Sequence, residues 1–373
     1  QRRFFLLFTH NFYFAKRIKM AVQQTSFQKK TKSRVPYIPG SKPSIHNAQL
    51  LVSSGMPSFD YVIGGGIPVG TIVLVEEDKY GTYAKLLIKY FLAEGAVCGH
   101  SLLVASLDSK CQSLVEELPA PVQYDDAHPE VDADDKMTIA WRYQNMRAVQ
   151  SSPTSTSFGH HFDISKIMDS QTLKEANISY WTGPTIESKA EGRFTNSSYS
   201  DLLHMIQGKI EEGEFGIASN PEKRNILRIA VHSLSSPLWS EETQGSQSAY
   251  AVCMLTVPSH LFQDTSTLSR CEHLCDTSVR LESFAGSEKE TNPVYKDYHG
   301  LFHINKLSAI NTLAPHVPES FDLAFKLRRR KFVIEKLHLP PELQETTQRE
   351  QDDLPSVRAM SCGGGGTRNL LDF

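Results

Sequence analysis

This 373-residue sequence is poor in the features that most readily assign a protein to a class. No apolar run approaches the ~20 residues of a membrane-crossing helix, so no membrane segment is expected. Neither sign of charge dominates, because 39 Lys and Arg against 42 Asp and Glu leave a formal net charge of −3. Any nucleic-acid surface therefore has to be a local basic patch. Cysteine is sparse and scattered: Cys98, Cys111, Cys253, Cys271, Cys275 and Cys362 form no disulfide framework. That favours a reducing compartment, the cytoplasm or the nucleus. Cys271 and Cys275 bracket Glu272 and His273, yet the second ligand pair of a zinc site is missing, and no metal is expected. His160 and His161 have no nearby Ser or Cys nucleophile with an orienting carboxylate.

With 40% hydrophobic and 22% charged residues, the chain can bury the core of one large domain or two ordinary ones. Its most informative stretch is SSGMPSFDYVIGGGIPVGTIVLVEEDKYGTYAKLLIKYF, residues 54–91. Gly64, Gly65, Gly66 and Gly70 mark a shaped turn. The apolar run at 71–75 predicts a buried strand, the polar residues 76–82 a turn, and Leu86, Leu87, Tyr90 and Phe91 a helix of 3.6-residue period. This order of turn, strand, turn and helix opens a P-loop nucleotide-binding domain.

The P-loop chemistry is missing. A working loop is G-x-x-x-x-G-K-[ST], whose amides and lysine hold phosphates and whose hydroxyl holds magnesium. With Gly81 as the second glycine, Glu76 replaces the first, Thr82 replaces the lysine and Tyr83 replaces the hydroxyl residue. Glu76, Glu77 and Asp78 put three negative charges where phosphate is expected, and like charges at contact repel strongly. Lys79 lies on the wrong side of the glycine to compensate. The fourth predicted strand, 225–233, carries His232 where an ATPase of this architecture places the acid that holds magnesium. Imidazole does not replace a carboxylate for that ion. The two losses agree: a P-loop architecture without a nucleotide site.

Further strands are expected at 49–52, 101–107 (ending at Asp108), 137–143 and 251–257, and a helix at 200–212 capped by Ser200 or Asp201. Residues 277–283, 300–305 and 323–327 alternate polar and apolar side chains and predict late strands, antiparallel or at the sheet edge. Residues 162–192 predict loops with one short helix. The expected organisation is a basic flexible extension (1–43), one α/β domain (44–341) and a polar, disordered tail (342–373). Arg328, Arg329, Arg330 and Lys331 are the densest basic run. They are candidates for RNA phosphate contact, or simply charges that protect a strand edge. Arg280 and the loop 286–298 are rival RNA candidates.

Several ordered segments carry a resemblance. SGMPSFDYVIGGGIPVG resembles the RecA/KaiC-like core. VEEDKYGTYAKLLIKYFLAEG, IAWRYQ, FGHHFD, NILRIAVHSLSSPLW, VPSHL, LESFAGSEKETNPVYKDYHGLFHI and the ending NLLDF resemble the PAXNEB-type family of Elongator complex subunit four. The resemblance implies a RecA-like central, mostly parallel sheet flanked by helices, with late antiparallel edge strands. It implies an accessory, non-catalytic subunit in a hetero-hexameric ring with Elongator subunits five and six. That ring docks on the catalytic Elongator subcomplex, binds tRNA and supports wobble-uridine (U34) modification in cytoplasm and nucleus. No cofactor is expected of this chain; the resemblance implies ATP hydrolysis by the assembled ring, which the residues above do not explain from this chain. The alternatives are an ATPase with an altered loop and a scaffold without RNA contact. One departure stands out. The family has a long crossover helix after the fourth strand, whereas residues 239–250 here are polar without an apolar face. The expectation is a sheet face left uncovered.

Overall fold

The computed structural model describes residues 38–44, 49–122, 158–184, 197–216, 224–236, 239, 250–262, 265–310 and 316–338. The elements run β1 (Ser41–Pro43), β2 (Leu50–Val52), α1 (Pro57–Val62), β3 (Ile67–Pro68), β4 (Ile72–Glu76), α2 (Thr82–Val97), β5 (Ser101–Ser106), α3 (Cys111–Glu116), β6 (Pro119–Pro121), β7 (Phe162–Ile167), α4 (Ser170–Glu175) and β8 (Ile178–Trp181). They continue with α5 (Ser197–Glu212), β9 (Leu227–His232), β10 (Ala251–Val257), α6 (Thr265–Leu274), β11 (Thr277–Ser283), α7 (Glu288–Thr291), β12 (Gly300–Lys306), β13 (Leu323–Leu327) and β14 (Phe332–Lys336). Nine strands form the main sheet in the order β14-β13-β12-β11-β4-β10-β9-β5-β8. From β11 to β8 all neighbours are parallel, and β12, β13 and β14 pair antiparallel at the other side. The expected α/β sheet with late antiparallel strands is thus present.

Continuous apolar runs such as β4 and β10 suit strands covered on both faces. Their alternate side chains build two cores. Val73, Val75, Val104, Ala230 and Met254 meet Leu87, Ile88 and Phe91 of α2. Ile72, Leu74, Leu103, Ile229 and Cys253 share the opposite cluster with Tyr199, Leu202, Leu203, Ile206 and Ile210 of α5. Every residue of β10 is buried. The expected bare face is therefore not seen: α5, α6 and Trp239 contribute to its cover.

Other expectations shift. Packing begins ahead of residue 44, because Ile38 is fully buried and β1 pairs with β2. The strand expected at 49–52 forms as β2, in a small antiparallel sheet with β1 and β3. Residues 162–192, expected as loops around one helix, also supply β7 and the edge strand β8, whose four residues are too few for a periodic signal. α5 begins at Ser197, so Asp201 lies inside the helix and accepts from the Trp181 indole N–H at 2.7 Å instead of capping. The expected strand at 137–143, the extension 1–37 and the tail from 339 lie outside the described residues.

The seam between α2 and the sheet is tight. Arg228 of β9 is fully buried and donates to His100 Nδ1 (2.9 Å), the Ser53 carbonyl (2.9 Å) and the Phe91 carbonyl (3.1 Å). Gly95 lets α2 approach. A Cβ there would stand 2.5 Å from Leu102 Cδ2 and 2.7 Å from Arg228 Cδ. In an open helix Gly→Ala stabilises by up to ~1 kcal/mol. Here Gly95→Ala is expected to lower stability by about 1–3 kcal/mol through overpacking, read as a lower urea midpoint.

Candidate functional site

The site lies at the carboxyl edge of β4, β5, β9 and β10, where parallel sheets place ligands. Strand alternation decides which acids face it. Val75 points toward α2, so Glu76 points to the other face. There Asn305 Nδ2 donates to Glu76 and to Glu272, 2.6 Å each. Burial and the neighbouring Glu272 carboxyl push Glu76 up to about 7. Glu76 is thus the last residue of the strand, not part of the loop, and does not crowd the phosphate position.

Asp78 does not repel anything there. Its carboxylate accepts from the amides of Thr82 (3.2 Å), Tyr83 (3.0 Å) and Ala84 (3.2 Å). A helix N-terminus presents unpaired N–H groups and a positive dipole end, which is how P-loops hold phosphate. In this chain a side chain of the loop itself occupies that position. Gly81 makes the turn, with φ of 65° and its own amide on the Asp78 carbonyl at 2.8 Å. The left-handed conformation suits glycine.

Glu77 lines the cleft floor and accepts from Thr256 (2.6 Å) and Ser233 (2.8 Å). Burial raises its pKa. Asp108, raised by burial too, accepts from Ser236 at 2.8 Å. His232 ends β9 beside them, 3.3 Å from Ser106 Oγ. Burial and the Lys85 charge hold it down to about 4, so the ring is neutral at physiological pH. Tyr83 is half-buried against Phe325, 4.7 Å between centroids, and Thr82 is exposed.

These groups border a cleft of about 760 Å³ whose lining includes Lys79, Tyr80, Lys85, Lys89, His260 and Leu327. Lys79 therefore does face the site, although it stays exposed. Leu327 leads straight into the basic run. Arg328, Arg329, Arg330 and Lys331 form the exposed turn between β13 and β14, closed by the Arg328 amide on the Lys331 carbonyl at 2.9 Å. The Arg330 carbonyl accepts from Ile164, itself part of the cleft lining, at 2.9 Å. The degenerate loop and the basic run are some 250 residues apart by their numbers, and Leu327 and Ile164, next to or bonded to the run, line the same cleft as the loop. Arg280 does not join them; it pairs in register with Glu76 on β11 and does not line the cleft. Sequence reasoning missed Lys85, Lys89 and His260, since helical position alone does not reveal which face overlooks a cleft.

Glu94, Cys98 and His160 offer ligand atoms within 4.8 Å of one another. Burial pushes the Cys98 thiol up to about 12, so it is no ready thiolate. Burial would also raise Glu94, but the His160 hydrogen bonds and the Arg228 charge outweigh it and hold the carboxyl below its usual range. The cluster is Glu94 of α2 hydrogen-bonded to the His160 ring at 3.2 Å, beside the buried Arg228 charge.

A profile of the PAXNEB protein family matches residues 34–373. The chain belongs to this family. Two curated relatives are similar to this PAXNEB chain over most of their length. The Elongator complex protein 4 of Danio rerio is 44% identical over 379 residues, covering 92% of this chain and 94% of that protein. That of Homo sapiens is 42% identical over 381 residues, covering 91% and 90%. Among solved structures, a KaiC-like protein from Pyrococcus horikoshii is similar, with a TM-score of 0.40 and 18% identity over 76% of this PAXNEB chain and 98% of that one.

Removing the Asp78 carboxylate leaves three amides without their acceptor. Asp78→Ala is expected to cost about 1–2 kcal/mol and to speed hydrogen exchange at the first turn of α2, with Asp78→Asn milder. The Glu94–His160 pair adds a pH signature. His160 is raised above its ordinary 6.5 by Glu94, so its contribution is complete below 6.5 and fades as pH rises through the folded value. Glu94 is lowered from 4.5, so its contribution is complete above 4.5 and fades as pH falls. The stability gap between wild type and His160→Gln should peak between pH 4.5 and 6.5 and shrink on both sides.

Proposed function

We propose that this chain is a non-catalytic subunit of the Elongator complex that helps to hold tRNA for wobble-uridine modification. In this reading it forms a hetero-hexameric ring with Elongator subunits five and six, docked on the catalytic subcomplex, in cytoplasm and nucleus. The family membership supports the complex, since the relatives carry the name Elongator complex protein 4. The observation that carries the non-catalytic part is the Asp78 carboxylate on the amides of Thr82, Tyr83 and Ala84. Those donors would have to be surrendered before a triphosphate could take them. His232, neutral at the end of β9, is a poor partner for magnesium.

The basic turn supports the RNA part. Four consecutive cationic side chains, all exposed, sit on a hairpin that the sheet holds rigid. Phosphate neutralisation by such clusters drives salt-dependent RNA binding. Among the described residues no helix is long and apolar enough to cross a membrane.

The test is tRNA binding by the ring reconstituted with subunits five and six. Affinity should fall steeply with salt, and Arg328→Glu, Arg329→Glu and Lys331→Glu together should weaken it at least about tenfold while flattening the log–log slope by about 2. Unchanged affinity and slope would remove the basic turn from the RNA surface. A ring that binds no tRNA would leave the scaffold reading. Magnesium-dependent ATP binding by this chain, abolished at Gly81, would favour the altered ATPase.

A further inference from the structure

We propose that the cleft above the capped helix is a binding site for an unpaired nucleotide of an RNA strand. The proposal rests on the RNA reading above and says where on this chain a strand would lie.

Three observations converge. The first is an aromatic platform. Tyr80 is 60% exposed at the cleft, although it closely follows a buried strand. Gly286 lets the following loop come against it: a Cβ there would stand 2.9 Å from the Tyr80 hydroxyl. An exposed ring braced at its edge offers a face to a base, and stacking of this kind tolerates any base.

The second is charge. Lys79 lies 5.5 Å from the Tyr80 ring centroid. Lys79 and Lys85 line the cleft, and neither makes an ion pair among the described residues. Lys89 also lines it but is bound to Glu117 at 2.6 Å. His260, Glu77 and Asp108 also line the cleft. Two unpaired lysines match one or two phosphodiesters, each carrying a single negative charge. A free triphosphate carries more negative charge than a phosphodiester and would have to face Glu77 and Asp108, like charges repelling at short range, with the helix amides already taken by Asp78.

The third is continuity. Leu327, 36% exposed in the cleft wall, runs directly into Arg328–Lys331. Arg328, Arg329 and Lys331 are exposed, while Arg330 lies 3.9 Å from Asp163, and a strand long enough to pass Leu327 has further cations to meet where a free nucleotide has no use for them. Stacking inside a duplex would hide the base face that Tyr80 needs, so the fitting ligand is a loop or single strand, whose bases can be unstacked.

The experiment uses the full chain in the ring with its two partner subunits. The probes are a fluorescein-labelled oligouridylate twelve-mer, an RNA duplex of the same length and Mg-ATP. The variants are Tyr80→Ala, Tyr80→Phe and the pair Lys79→Glu, Lys85→Glu. Tyr80→Ala should weaken the oligouridylate about tenfold, and Tyr80→Phe should retain it. The lysine pair should weaken it and flatten the salt slope, the duplex should be indifferent to Tyr80, and ultraviolet crosslinks should map to the Tyr80 peptide. If the wild-type ring binds no RNA, the RNA reading itself fails. If it binds RNA and the Tyr80 and lysine variants match wild type, the cleft proposal fails while that reading stands. Photocrosslinking of an azido-ATP probe to the Tyr80 peptide, competed by Mg-ATP, would make the cleft a free-nucleotide site and overturn the proposal.

Discussion

The Asp78 carboxylate, bound by the amides of Thr82, Tyr83 and Ala84, fixes the carboxyl edge of the sheet. A helix start needs an anion or acceptor, and many nucleotide-binding folds leave that need for the ligand. Here it is met within the loop. The turn is braced by its own side chain, with Gly81 in the left-handed region and Lys79 and Tyr80 exposed. An arrangement that looks electrostatically hostile as a string of acids becomes a stable one once each acid has its own direction. Glu76 goes to Asn305, Glu77 to Thr256 and Ser233, and Asp78 to the helix.

The same helix is held near its other end by charge. Arg228, buried under α2, satisfies backbone carbonyls at Ser53 and Phe91, and its charge helps to keep Glu94 ionised. Glu94 in turn accepts from the His160 amide at 3.0 Å, tying the segment after residue 158 to α2. Breaking one partner of such a network leaves an uncompensated buried charge, which is far more costly than never having had it. α2 is therefore pinned at both ends by polar groups and along its length by Leu87, Ile88 and Phe91. That rigidity places Lys85 and Tyr83 at fixed positions above the cleft.

Much of the fold is legible in the residues. Apolar runs locate β4, β9 and β10, and alternation locates β11, β12 and β13, because burial on two faces or on one leaves different periods. β8 is not legible, since four residues at a sheet edge carry too little pattern. The site is legible only in part. The replaced lysine and the His232 substitution stand out by motif, but the direction of each acid depends on where β4 ends. That end is set one residue later than the polar character of Glu76 suggests, because Glu76 pairs with Val257 and Arg280 in the ladder. The meeting of Tyr80, Lys85 and the basic turn is a product of topology, with β13 and β14 lying far from β4 in the chain.

A high-resolution structure of the assembled ring determined with millimolar Mg-ATP present tests the central claim directly. The account predicts the Asp78 carboxylate still seated on the amides of Thr82, Tyr83 and Ala84, with no phosphate density at the start of α2. A phosphate on those amides, with Asp78 swung away and magnesium beside His232, would contradict it.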